Sequence, residues 1–208
     1  MFSIDIFSLA STIGTIAFAL SGFMVGVRKD LDIMGIFILS MLTANGGGAV
    51  RDILVGRLPN VLTDISAFLL VVGVIGSALL LRLHRRPTFE KSHIFVLSDS
   101  MGLVAFSVTG TLIGIDAGLS IFGVMVLAFI TASGGGIIRD LMVNEVPSVL
   151  SSDFYGTIAI LLGAVMYMLH HYTSYYNDTA LIMLFAIALI MRLTAYYFGW
   201  KLPRITKG

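Results

Sequence analysis

A chain of 208 residues that is 57% hydrophobic and 12% charged, with a mean hydropathy of +0.98, lacks the polar residues needed to cover a water-facing surface; a soluble domain is about a quarter charged. The composition excludes a soluble enzyme, and it excludes disorder, which requires low hydropathy and high charge. The net charge of +1 excludes a nucleic-acid partner, and the absence of cysteine excludes disulfides, thiolate catalysis and cysteine-held metals.

What remains is an all-α integral membrane protein whose solvent and principal partner is the lipid bilayer. A hydrocarbon core about 30 Å thick takes about 20 apolar residues per helix, and the chain offers seven such runs. They cover Ile6 to Val27, Ile33 to Val55, Leu62 to Leu83, Ile94 to Ile115, Leu119 to Val143, Tyr155 to Leu169 and Thr179 to Phe198. The runs do not alternate in polarity, which excludes a membrane β-barrel. Together they occupy the chain as a single transmembrane domain, 1–208. The first run has no basic residue before Arg28 and is too long for a signal-peptide core, so it reads as a retained helix.

Basic residues set the expected orientation. One side collects Arg28, Lys29, Arg82, Arg85, Arg86, Lys91, Arg139, Lys201, Arg204 and Lys207; the other holds Arg51 and Arg57. The positive-inside rule then places the amino terminus outside and the carboxyl terminus in the cytoplasm, with the protein in the plasma (inner) membrane. Tyr172, Tyr175 and Tyr176 before the last run, and Tyr196, Tyr197 and Trp200 after it, form its two expected aromatic belts.

The chain also repeats itself. Displaced by 88 residues, Gly14, Gly22, Gly26, Gly35 and Gly46-Gly47-Gly48 fall on Gly102, Gly110, Gly114, Gly123 and Gly134-Gly135-Gly136. Arg51-Asp52 falls on Arg139-Asp140 and Pro59 on Pro147, with 20 identities over the 49 positions from 14 to 62. Three crossings per copy (about 5–83 and about 93–171) force the second copy to enter from the opposite face. The expectation is an inverted repeat, a design of transport proteins, with a seventh helix at about 179–198 used for packing or oligomer contact.

The doubled motif carries the candidate site. Each glycine inside a helix costs about 1 kcal/mol relative to alanine, so Gly46, Gly47 and Gly48, and Gly134, Gly135 and Gly136, are expected to bend or open the second and fifth membrane helices into a pore-lining kink; the alternative is close packing. Arg51, Asp52, Arg139 and Asp140 are the expected pore charges. Neighbouring helical residues do not face each other, so the arginines are expected to find acids or carbonyls in the opposite copy. Snorkelling and capping are the alternative. Ser21, Thr43 and Asn45 with their counterparts Thr109, Thr131 and Ser133 could complete a polar lining, or bond locally to the carbonyl one turn back. Asn60 and Ser148 are candidate helix caps after the two prolines, and Asp99 is an acid whose counterpart is Ser11. The motif Gly-x-x-x-Gly, at Gly22 and Gly110, suggests packing faces. His170-His171 lacks a third ligand, so no metal site is expected, and no residue set suits catalysis.

Two copies of a three-helix unit, each with Gly-Gly-Gly-x-x-Arg-Asp in its second helix, resemble the prokaryotic TRIC proteins, relatives of the trimeric intracellular cation channels also labelled as glycine-transporter-type. The resemblance implies a homotrimer with an hourglass pore in each protomer, no cofactor, and a transported monovalent cation, potassium chiefly, with sodium as the second candidate. A carrier for a small zwitterion such as glycine stands as the other reading, because inverted repeats suit alternating access equally.

Overall fold

The computed structural model describes residues 4–83, 93–151, 154–173 and 176–200. Among these the chain is entirely helical: α1 (Ile4–Arg28), α2 (Ile33–Leu54), α3 (Asn60–Thr63), α4 (Ser66–Leu80), α5 (His93–Asp116), α6 (Ile121–Met142), α7 (Ser148–Ser151), α8 (Tyr155–Tyr172) and α9 (Asp178–Tyr197). Five of them, α1, α2, α5, α6 and α9, are long and apolar enough to cross a membrane, and α4 is a shorter apolar helix. The expected third run divides into α3 and α4, because Asp64 binds the Ser66 amide and hydroxyl (2.9 and 2.6 Å) and starts a new helix there. Arg85, Arg86, Lys91, Tyr175, Lys201, Arg204 and Lys207 lie outside the described residues.

Local signals recur in both copies. Asp32 caps α2 by accepting from the Gly35 amide, and Ser120, 88 residues on, caps α6 by accepting from Gly123. The turns after α1 and α5 pass through left-handed Asp30 and Gly118, and those after α2 and α6 through left-handed Gly56 and Asn144. In each turn an amide reaches back five residues (Leu31 to Gly26, Arg57 to Asp52, Leu119 to Gly114, Glu145 to Asp140), which ends the helix while satisfying a carbonyl.

Small residues let the helices close up. A Cβ on Gly22 would lie 2.7 Å from the Ser40 Cα, and one on Gly110 would lie 2.9 Å from the Ala128 Cα. Both Gly-x-x-x-Gly pairs are therefore packing faces, for α1 on α2 and α5 on α6. The two halves meet where α1 packs on α5 and α2 on α6, while α9 lies against α5 and α8. At the centre Phe18 and its counterpart Phe106 pack with ring centroids 5.3 Å apart.

Candidate functional site

Both glycine triplets sit where α2 crosses α6, and the expected opening of these helices does not occur: each runs unbroken through its triplet. The glycines remove side chains from the crossing instead. A Cβ on Gly134 would lie 2.9 Å from the Gly47 Cα, and Cβ atoms on Gly47 and Gly135 would collide with the carbonyls of Thr131 and Thr43 respectively. Backbone thus touches backbone, and intact i to i−4 bonding avoids the unpaired amides that an opened helix would expose to lipid. The point of closest approach presents two threonine carbonyl oxygens, beside the Phe18–Phe106 pair.

The arginine pairing is also corrected. Arg51 donates from Nε to its own neighbour, Asp52 Oδ1, at 2.8 Å, and Arg139 does the same to Asp140 at 2.8 Å. The rule against neighbour contacts on a helix fails here because the long guanidinium stem sweeps around the last helical turn to the short carboxylate. The reach across copies exists, but it ends on hydroxyls rather than acids. Arg51 donates to Thr109 at 3.3 Å and Arg139 to Ser21, and Ser21 and Thr109 are themselves repeat counterparts. Each carboxylate serves twice. The second oxygen of Asp52 accepts the Asn60 amide at 3.0 Å, and that of Asp140 accepts the Ser148 amide at 2.7 Å and hydroxyl at 2.9 Å. Asn60 and Ser148 are therefore the capped residues of α3 and α7 rather than the caps.

All four charged groups of the motif are buried. Charge buried among apolar helices persists only when paired and hydrogen-bonded; each guanidinium meets the Oδ1 of its neighbouring aspartate through Nε and reaches a hydroxyl through Nη1, while Arg139 Nη2, 2.8 Å from Asp140 Oδ1, has no hydrogen bond among the described residues. The arginine rings of contact match too: Arg51 lies 5.7 Å from the Phe7 ring centroid and Arg139 lies 5.1 Å from Phe95, 88 positions later. Because Arg51 and Arg139 are inside the bundle, neither counts as a loop charge, and one residue leaves each side of the expected charge asymmetry.

The small polar residues divide by role. Thr43, Thr131 and Ser133 donate to the carbonyls of Leu39, Leu127 and Phe129, each at 2.6 Å, and are buried. Asn45 donates to the Met41 carbonyl at 3.0 Å and faces a polar cavity of about 50 Å³. Ser11, Thr15, Arg51, Asp52 and Asn60 also line that cavity. Such a space holds a few water molecules with ready polar partners.

Three residues enter the site that the doubled motif did not supply. Asp99 accepts from Arg139 at 2.6 Å, Tyr155 lies against Gly136, and Arg192 of α9 sits 4.7 Å over the Tyr155 ring. Asp99 and Arg192 were visible as charges inside apolar runs. Tyr155 carried no such signal, since its counterpart is Ala67.

Ion pairs tie the halves together at both ends. Arg28 and Lys29, at the end of α1, hold Glu145 at 2.5 and 2.7 Å; Arg57, after α2, holds Asp116 at 2.6 Å. These are repeat-equivalent contacts with their signs reversed, since 28 corresponds to 116 and 57 to 145. Partial burial opposes ionisation of Glu145, but Lys29 and Arg28 outweigh it and hold the carboxyl below its ordinary value. Among the described residues no cluster of three acidic or histidine side chains suits a metal, His170 and His171 included.

A family model described as glycine transporter matches the chain twice, over residues 8–85 and 96–171. The membrane protein YvgT of Bacillus subtilis is 35% identical over 195 residues, covering 94% of this chain and 94% of that protein. The inner membrane protein YadS of Escherichia coli is 32% identical over 196 residues, covering 92% of each. Among solved structures, a prokaryotic TRIC channel crystallised in 0.5 M KCl superposes with a TM-score of 0.87 at 32% identity, over 96% of this chain and 100% of that one. The TRIC trimeric intracellular cation channel orthologue of Rhodobacter sphaeroides superposes at 0.84 with 29% identity, over 93% and 98%.

Proposed function

Since this chain belongs to the prokaryotic TRIC family of membrane proteins, we propose that it is a channel for monovalent cations, potassium chiefly. The observation that carries the reading is the pair of buried Arg–Asp–hydroxyl assemblies, Arg51–Asp52–Thr109 and Arg139–Asp140–Ser21, flanking the glycine crossing of α2 and α6. Charges that are expensive in hydrocarbon are kept where a water path needs them. Each guanidinium is neutralised by a carboxylate, so the groups left to face a cation are oxygens: the Thr43 and Thr131 carbonyls and hydroxyls, covered at the closed crossing and uncovered when α2 and α6 part. Oxygen dipoles replace part of a cation's hydration shell and repel anions. Solved structures to which the chain is similar are described as cation channels, which supports the same reading.

In this account α1, α2, α4, α5, α6, α8 and α9 are the seven crossings, with the first three and the next three forming an inverted repeat. The two family-model matches begin 88 residues apart, which supports that division. The pore runs within one protomer between the halves, three protomers assemble, and the amino terminus faces outward. Opening requires α2 and α6 to part at the triplets, and glycine's missing side chain leaves little to unpack there.

A second reading is a carrier for a small zwitterion such as glycine. It is favoured by one observation: the polar cavity lies on the first-repeat side of the crossing, as an alternating-access state would have it. Liposomes loaded with potassium and containing the purified protein separate the two. Fast efflux that does not saturate supports the channel; saturable glycine counterflow without potassium efflux supports the carrier.

A further inference from the structure

The two halves share backbone and charge pattern, but their interiors differ at the positions that decide whether water enters. In the first copy a Cβ on the third glycine, Gly48, would meet only its own Arg51 guanidinium, at an unstrained 3.7 Å. In the second, a Cβ on Gly136 would meet its own Arg139 guanidinium at 3.8 Å and, more tightly, the Tyr155 hydroxyl at 3.2 Å. Ala67 and Thr15, which border the first cavity, are replaced 88 positions on by Tyr155 and Leu103, and both of these are buried in one cluster with Ala132 and Ala159. Ser11 of the cavity wall is replaced by Asp99, which reaches across to Arg139. The outcome is visible in the charges themselves: Arg51 retains 5% exposure, and Arg139 has none.

Tyr155 is an odd choice for a merely structural filler. Its hydroxyl is buried with no hydrogen-bond partner among the described residues, a loss that phenylalanine would avoid. Its ring is fixed from behind by Arg192, a cation supplied by α9, the helix with no repeat counterpart.

We propose that Tyr155 is the seal of the second-repeat half of the path, braced by Arg192, so that the first-repeat half admits water at rest and the second sets the barrier. The proposal rests on the channel reading for its consequence in flux, but not for its consequence in hydration. It also gives α9 a task beyond packing. The residue that breaks the seal is already written in the other copy: Tyr155→Ala installs what stands at position 67, and Ala67→Tyr builds the same plug on the open side.

The chain has no cysteine, so single cysteines report hydration directly. Asn45→Cys and Ser133→Cys are repeat-equivalent probes, assayed in the membrane-embedded protein with a small water-soluble thiol reagent, methanethiosulfonate ethylammonium. Position 45 should react at least about tenfold faster than position 133. Tyr155→Ala should raise the rate at 133 by about tenfold and leave 45 unchanged, Tyr155→Phe should leave both unchanged, and Ala67→Tyr should slow 45 by about tenfold. Equal rates at 45 and 133, or a rate at 133 indifferent to Tyr155→Ala in protein that elutes as the parent does, would overturn the seal. If Tyr155→Ala does not fold, an unaltered rate at 45 in Ala67→Tyr overturns it. Potassium efflux from liposomes supplies the second arm. Efflux rising with Tyr155→Ala supports the barrier role, and a parent that conducts with unchanged efflux in the variant refutes it. Accessibility as expected with no potassium efflux in any protein would leave the water seal standing and remove the channel reading.

Discussion

Replacing Arg139 with glutamine removes the cation that holds both Asp99 and Asp140, at 2.6 and 2.8 Å, in a site closed to solvent. Two buried carboxylates then lose the guanidinium that neutralises them. Breaking a buried pair by deleting one partner costs about 3–5 kcal/mol; Asp140 keeps the Ser148 amide and hydroxyl, but Asp99 loses its guanidinium as well, which places this variant at the upper end. Arg51→Gln orphans one carboxylate only. Asp52 still accepts the Asn60 amide and borders a cavity with room for water, which limits the loss to about 1–3 kcal/mol. At about 2–4 °C per kcal/mol for a chain of this size, the difference of about 2–4 kcal/mol should make Arg139→Gln melt about 4–16 °C below Arg51→Gln. Thermal unfolding of the detergent-solubilised variants, followed by intrinsic fluorescence, reads the difference. Asp99→Asn added to Arg139→Gln should recover part of the loss, because one acid fewer is stranded. Equal melting of the two arginine variants, or Arg139→Gln melting with the parent, would refute the inequality of the two assemblies.

Gly135→Ala should destabilise by at least about 1–3 kcal/mol, since the new Cβ meets the Thr43 backbone carbonyl rather than a movable side chain; Gly48→Ala, whose Cβ would only touch the Arg51 guanidinium at 3.7 Å, should change melting little. Exchanging the signs of the outer pair in Arg57→Asp/Asp116→Arg should restore whatever melting temperature either single change loses. The effect is below about 1 kcal/mol because both side chains are exposed. Glu145 carries a depressed pKa, so its stabilisation is complete above its ordinary value of 4.5 and disappears as pH falls through the lowered one. Glu145→Gln should abolish that small acid-dependent component of the melting curve and leave the neutral-pH value within about 1 kcal/mol of the parent.

The helical membrane architecture, the repeat and the Arg-Asp motif were legible in the sequence because each rests on a pattern: long apolar runs, an 88-residue periodicity and charges stranded among them. Side-chain reach was not legible. Positions 51 and 52 differ by about a third of a turn on a helical wheel, which hides the fact that an arginine can wrap around a helix end to its neighbour. Taken for an isolated helix, the glycine triplets suggest a bend or a break; here helical backbone continues through them, and their cost is offset by the contact their bare backbones permit between α2 and α6. Asn60 looked like a cap by type, but the carboxylate eight residues earlier, Asp52, reached the amide first. Tyr155 was invisible for a different reason. It departs from the repeat, and matching the copies draws the eye to positions that agree.

Cation passage within the protomer is tested most directly by the reversal potential in a planar bilayer holding the purified protein under a tenfold potassium chloride gradient. Unitary currents that reverse near the potassium limit of about 59 mV, with Arg51→Ala/Arg139→Ala altering their size or opening, are what the account predicts. Reversal at zero or on the chloride side, or a silent bilayer from protein that imports glycine saturably, would contradict it.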